Sequence, residues 1–362
     1  MIDFDSSRSS HRSGFAGQRL RCLVTLLVTA SLGVSAACTP DNEPARTSTT
    51  KSSAAQQLPF SGLKFPVLAA DSSGTVYALD AENRLVVSVA QGASRQVALP
   101  FGDLDTLPVL ERIVVDGAGS VYVAAGDRVY KLPRGAASPT VMDLGFTSGE
   151  QNLSLADFAI DSQGNLFAVT GEPVVGGVNP NRVVAIPAGS ATPTVLPFRD
   201  AGFPRRIGVD SMGNVYVEDG LNSRILKLTK GSDHDDQLPM TGRLTGMKVD
   251  EAGNVYAWDK ALNRVVELSA GATEQEVLPF TGMDTISEEI TVDSTGAVYI
   301  PDSGNGRVLK WSKDAPSATA LAFGKPEMTV EFAPQRLAVD TSENVYASTG
   351  FNGIVLKLEQ RR

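Results

Sequence analysis

The side chains able to do chemistry in this chain are few, and their types narrow what that chemistry can be. Beyond residue 37 there is one histidine, His234, and one cysteine, Cys38. His234 lies in Gly231-Ser232-Asp233-His234-Asp235-Asp236, a polar stretch that reads as a solvated loop. One imidazole cannot supply a histidine zinc site or a pair of histidines for acid–base work. No phosphate-binding glycine loop, catalytic-triad motif or CxxC pair is present. What remains is a set of arginines and carboxylates at fixed offsets from a repeated aspartate. Their chemistry is recognition of a charged group or, for carboxylates alone, of a hard cation such as calcium.

Cys38 has a different setting. Arg8, Arg12, Arg19 and Arg21 precede an apolar run from Cys22 to Val34, which has the length and flanks of a signal peptide and is short for a membrane-spanning helix. Val34-Ser35-Ala36-Ala37-Cys38 follows and resembles a bacterial lipobox, with Ser35 where Leu or Val is commoner. The expectation is a leader over 1–37, lipidation of Cys38 and tethering to the outer face of the cell membrane; ordinary cleavage near Ala36 would instead release a secreted protein. Residues 38–55 are rich in Ser, Thr, Ala and Pro and carry no apolar period, so they read as a flexible linker.

Residues 56–362 repeat one unit. An apolar residue precedes Asp, and two residues, usually Gly, one residue, an aliphatic and an aromatic follow. The aspartates are Asp71, Asp116, Asp161, Asp210, Asp250, Asp293 and Asp340, spaced 40–49 residues apart. The seventh copy carries Glu343 in place of Gly. Each unit holds four short β-rich runs, which predicts an all-β, seven-bladed propeller of four-stranded antiparallel blades. The turn aspartate should accept backbone N–H bonds while its glycine takes positive φ. Leu-Pro-Phe tags mark the fourth strand, as in Leu99-Pro100-Phe101 and Leu278-Pro279-Phe280. One tag, Leu58-Pro59-Phe60, precedes the first Asp turn and none follows the last. The ring should therefore close by an N-terminal strand pairing onto the seventh blade as its outer edge.

These repeats resemble the NHL-repeat propellers, and the likeness is greatest to the extracellular sensor domains of actinobacterial receptor serine/threonine kinases. Val277-Leu278-Pro279-Phe280-Thr281-Gly282-Met283 and Asn263-Arg264-Val265-Val266-Glu267-Leu268 carry it. The resemblance implies an extracytoplasmic binding or sensing domain. It departs from that family in having no kinase domain, seven units where those sensors are described with six, and a lipid anchor in place of a membrane helix.

Counting back from each Asp locates the candidate site. Four residues before it stand Val67, Arg112, Asp157, Arg206, Gly246, Glu289 and Arg336; five before stand Pro66, Glu111, Ala156, Arg205, Thr245, Glu288 and Gln335. These positions fall at the channel mouth of a propeller. The candidate binding rim is therefore Arg112, Asp157, Arg205, Arg206, Glu288, Glu289 and Arg336, with ion pairing around a solvated mouth as the competing explanation. The insertion Gly171–Pro180 in unit three should reach the same rim. Arg84, Arg128, Arg182, Arg224, Arg264 and Arg307 recur at the head of the third strand and read as blade-to-blade polar contacts.

Propeller enzymes that resemble streptogramin lyases use histidine for acid–base chemistry, and amidating lyases use histidines for zinc. A calcium-dependent lactonase like the gluconolactonases could use Glu289, Asp157 and Glu288, against opposition from Arg112, Arg206 and Arg336. The sequence thus favours a binding module over an enzyme, with no catalytic residue, metal or cofactor assigned. Its partner would be a cell-envelope protein or small ligand, and the chain a monomer. The net charge is −9, and residues 1–37 contribute +2 to it, so the body is the more acidic. That charge and the export signal both oppose nucleic acid.

Overall fold

The computed structural model describes residues 55–102, 110–145, 147–148, 151–152, 155–170, 181–199, 201–285, 287–323, 332–350 and 352–360. The leader, Cys38, the linker up to residue 54 and the insertion 171–180 lie outside the described residues. Seven four-stranded antiparallel sheets form the blades of a ring. Blade four is representative, with strands Pro204–Val209, Val215–Asp219, Arg224–Leu228 and Asp236–Gln237 from the channel outward.

The second strand of every blade is buried at every position, as in Val215–Asp219 and Val298–Asp302. It has a neighbouring blade on each face, so its apolar run is continuous rather than alternating. The outermost strands are short and exposed, and Val97, Val195 and Val277 stand more than half exposed on them. The core is accordingly divided into seven apolar clusters, one at each joint between blades. Tyr256, Trp258, Leu278, Phe280, Ile290 and Leu309, for example, join blades five and six.

The Asp turn is built as its residues require. Asp71 Oδ1 accepts N–H bonds from Ser73 at 2.9 Å and Thr75 at 3.0 Å, and Gly74 has φ +75°. Asp71 Oδ2 takes a further bond from the Tyr77 hydroxyl at 3.0 Å. The aromatic of the repeat thus has a polar role as well as a packing one. Desolvation and the Asp71 carboxylate push the Tyr77 phenol up to about 12, so it stays a donor at any physiological pH. Blade three has Phe167 at this position, and there Asn165 Nδ2 reaches Asp161 Oδ2 at 2.7 Å instead. In blade seven Glu343 takes the left-handed conformation itself, φ +63°, with its carboxylate 3.7 Å from Lys310 Nζ.

The ring closes as the tag count requires. Gln56–Gln57 pairs antiparallel with Val355–Leu358, opposing Lys357 and Leu356. Leu58 N–H then bonds Val355 O at 2.9 Å, as Leu99 bonds Val86 O and Leu278 bonds Val265 O in their own blades. Among the described residues, six tag leucines are followed by a tight turn around the next residue, proline in five and Ala322 in the sixth, Phe60 N–H to Leu58 O at 2.8 Å being one case. That turn sends the tag aromatic inward, and Phe60 packs between blades seven and one.

Three of the six recurrent third-strand arginines correct one expectation. Arg224, Arg264 and Arg307 pair within their own blades, their Nε atoms 2.7–3.1 Å from Asp219, Asp259 and Asp302. Each of these buried aspartates ends the second strand and also accepts an N–H from the chain leading into its blade. Phe203, Arg243 and Asp284 are the donors. Arg307 also bonds a carbonyl on that connecting segment, Gly282 O at 3.1 Å. The motif therefore fixes the connecting loop to the blade rather than one blade face to the next.

Candidate functional site

The seven innermost strands converge on an axial cavity of about 560 Å³. Its wall takes Val67, Arg112, Ala156, Arg206, Lys248, Glu289 and Arg336, one from each blade in turn. A side recess of about 230 Å³ opens between blades four and five, lined by Arg205, Arg206, Glu218, Gly246 and Glu288. Of the seven rim residues expected from the repeat, Arg112, Arg206, Glu288, Glu289 and Arg336 line the cavity, Asp157 pairs with Arg112 beside it, and Arg205 lines the side recess.

A bulge in the innermost strand explains why two consecutive positions serve the rim. In blade four Pro204 opposes Asp219 and Arg206 opposes Glu218, so Arg205 is the extra, unpaired residue. The same shift lies between Leu110 and Arg112, Leu155 and Asp157, and Pro334 and Arg336. A bulge re-aims side chains and frees backbone N–H groups from the ladder. In blade five it lies between Thr245 and Lys248 and contains Gly246 at φ +66°. A Cβ on Gly246 would collide with the carbonyl oxygen of Glu288, so glycine is required there.

Two acids satisfy the freed donors across blade boundaries. Asp157 Oδ2 accepts the Ile207 N–H at 3.1 Å, and its Oδ1 accepts its neighbour Phe158 N–H at 2.8 Å. Glu218 Oε2 accepts the Met247 N–H at 3.0 Å. Burial pushes the Glu218 carboxyl up, against the pull of the Met247 N–H and of Arg206 and Arg205.

The remaining charges are largely paired. Arg112 Nε stands 2.7 Å from Asp157 Oδ1, yet no acceptor is aligned with its N–H, so this is a charge contact rather than a hydrogen bond. Arg336 Nη1 bonds Glu289 Oε2 at 3.1 Å. Lys260 Nζ meets Glu288 Oε1. Burial alone would raise the Glu288 carboxyl, but Lys260 and Arg205 override it and hold it below the usual range.

Arg206 and Lys248 are different: neither closes a salt bridge or hydrogen bond among the described residues, and both face the cavity. Burial would depress the Arg206 guanidinium. The fields of Asp157, Glu218, Glu289 and Glu288 outweigh it and hold the pKa above the ordinary arginine value. Lys248 is pushed down to about 8, first by loss of hydration and then by Arg112, against partial support from Glu289 and Asp157.

Lys248 and Glu218 were not among the residues expected from sequence. Lys248 stands two before its turn aspartate, where the other units carry Ala69, Val114, Ala159, Gly208, Thr291 and Ala338. A lone lysine in that small, uncharged series was the available signal. His234 lies on an exposed loop of blade four, its Nδ1 2.9 Å from Asp233 Oδ1, and takes no part in the cavity.

The ring and its channel define the class of protein, a seven-bladed β-propeller with a charged axial mouth. Among solved structures it is similar to a streptogramin B lyase, with TM-score 0.65 and 13% identity over 85% of this chain and 97% of that one. It is similar to a catalytically inactive, histidine-to-alanine virginiamycin B lyase from Staphylococcus aureus with quinupristin, with TM-score 0.65 and 10% identity over 85% and 99%. A third is YCF48 bound to a D1 peptide, with TM-score 0.59 and 11% identity over 85% and 96%. At such identities the likeness shows the fold alone. No family model and no curated protein matches the chain.

These neighbours overturn one expectation. Scarce histidine and missing motifs suggested a protein that is not an enzyme. The same ring carries lyases, however, so a propeller without a legible motif is not thereby set apart from catalysis. The fold leaves the enzymatic status open.

Proposed function

We propose that the chain is an exported binding or sensor module, tethered to the cell membrane through lipidated Cys38, whose channel mouth takes up a ligand or protein segment at the cell envelope. One observation carries the reading: all seven blades contribute to a single cavity of ligand size, and the charged positions of the innermost strands gather at its mouth. The NHL-type repeats support an extracytoplasmic sensing role in the same way, through Leu278-Pro279-Phe280 and its fellow tags. Neighbours with this ring are bound to a D1 peptide in one case and with quinupristin in another, both compatible with such a mouth.

A second reading is chemistry at the same place, favoured by the lyase neighbours and by a lysine whose pKa of about 8 suits proton transfer near neutral pH. A calcium-dependent lactonase is the weaker form of it. Asp157, Glu288 and Glu289 are each beside a cation, and Arg206 and Lys248 add positive field where calcium would sit.

The test is capture from envelope extract by the wild-type protein and by Arg206→Glu and Arg336→Glu. Loss of capture in folded variants supports the mouth as the binding face; unchanged capture sinks it. Mass spectrometry of the mature N-terminus, expected to show an acylated Cys38, tests the tether.

A further inference from the structure

We infer that the channel binds a small oxyanion, a carboxylate or phosphate group, held between Arg206 and Lys248. The inference rests on the reading of the channel as the binding site and gives that site its ligand chemistry. Arg206 comes from blade four and Lys248 from blade five, and both side chains face the axial cavity. A cation withdrawn from water needs a fixed counter-charge. The channel carboxylates lend Arg206 and Lys248 their field but no direct contact, because each makes its contact with another partner. Asp157 stands against Arg112 and holds two backbone N–H groups. Glu289 is held by Arg336, Glu288 by Lys260, and Glu218 by the Met247 N–H.

The room is sufficient as well as the charge. About 560 Å³ exceeds what an oxyanion alone fills, and Ala69, Thr291 and Ala338 leave space for a small organic body beside it. A bare divalent cation is opposed by the same field. Lys248 is faced by Arg112, Arg206, Asp157 and Glu289 in the channel, and by Asp250, Glu251, Asp293 and Lys313 in the cavity on its other side. An anion beside Lys248 would favour its charged form. Binding should therefore take up protons near the Lys248 pKa of about 8 and weaken as pH rises through that value.

Calorimetric titration of the intact protein with inorganic phosphate and, separately, with citrate tests this. The expected result is saturable binding of at least one of them, weakened about tenfold or more by Lys248→Met and by Arg206→Gln, equivalent to about 1.4 kcal/mol. Wild-type affinity should fall as pH rises through about 8, and the Lys248→Met variant should lose that dependence. The phosphate and citrate arms separate a phosphorylated ligand from a polycarboxylate. Absence of saturable binding to both overturns the inference, as does equal affinity in two variants that melt like the wild type. Should a variant not fold, acylation of Lys248 in the wild type by acetic anhydride, read by mass spectrometry, decides: the anion must protect it. A partner captured through the rim and indifferent to both anions would overturn the anion site while leaving the mouth as the binding face.

Discussion

Glu218 shows how a single side chain can serve packing and site at once. Its carboxylate caps the Met247 N–H freed by the blade-five bulge, and it borders the recess beside Arg206. Removing the acceptor by Glu218→Ala leaves a buried donor unpaired and should destabilise by about 1–3 kcal/mol. Glu218→Gln keeps an acceptor but cannot ionise. Because burial raises the folded pKa above the unfolded one, this group's contribution is full below the unfolded carboxylate value and is lost as pH rises through the folded value. The melting temperature of the Gln variant relative to wild type should thus increase from about pH 4 to about pH 7. A difference that stays flat across that range would mean Glu218 is not held in a poorly hydrated site. Residues of this kind were the least legible in sequence. Counting back from the Asp turn found Arg112, Asp157, Arg206, Glu289 and Arg336, because a fixed offset maps to a fixed height in the channel. It missed Lys248, since facing direction depends on a bulge whose place differs between blade four and blade five, and Glu218, which follows its Asp turn on the second strand.

At the level of the strand and turn, the repeat was legible almost completely, because each recurring position acts on neighbours a few residues away. The Asp, the positive-φ residue and the four strands all follow from turn chemistry and β patterning. The second anchoring aspartate did not stand out, because Asp80, Asp219, Asp259 and Asp302 have Ala125, Thr170 and Thr349 as counterparts, and their partners lie outside the strand. The tyrosine hydroxyls give a comparison within one molecule. In blade six the Tyr299 hydroxyl bonds Asp293 Oδ2 at 2.7 Å, and the position that is Asn in blades three, four, five and seven is Ala297. In blade seven Asp340 Oδ2 receives both the Tyr346 hydroxyl and Asn344 Nδ2, each at 2.8 Å. Tyr299→Phe should therefore cost about 1.5–3 kcal/mol, the range for a hydrogen bond to a charged acceptor, and Tyr346→Phe about 1 kcal/mol or less. Urea unfolding of the two variants measures the difference, and equal losses would show that the second donor does not compensate.

For the whole ring, the decisive contact is the one between its two ends. Blades one to six each complete themselves locally; in blade four residues 229–235 lead from the third strand to the fourth. Blade seven borrows Gln56–Gln57, and with it Leu58 and Phe60, both 8% exposed, in the joint with blade one. Ser348 Oγ adds a buried bond to Pro66 O at 2.9 Å across that joint. Without residues 56–61 the seventh blade ends in a bare edge and one of the seven apolar joints loses its wedge. Truncating a buried Leu or Phe to Ala commonly costs about 2–5 kcal/mol each, a large part of a stability of about 5–15 kcal/mol. The deletion should abolish a single cooperative melt. Loss of stability alone would not prove that pairing, rather than bulk burial, closes the ring. A permuted chain does: with residues 56–61 moved behind Leu358 on a linker as long as 229–235, blade seven would be assembled as blade four is. That chain should regain one sharp transition near the wild-type temperature. If the deletion still melts as sharply as the intact protein, or the permuted chain stays non-cooperative, the N-terminal strand is not what completes the seventh sheet.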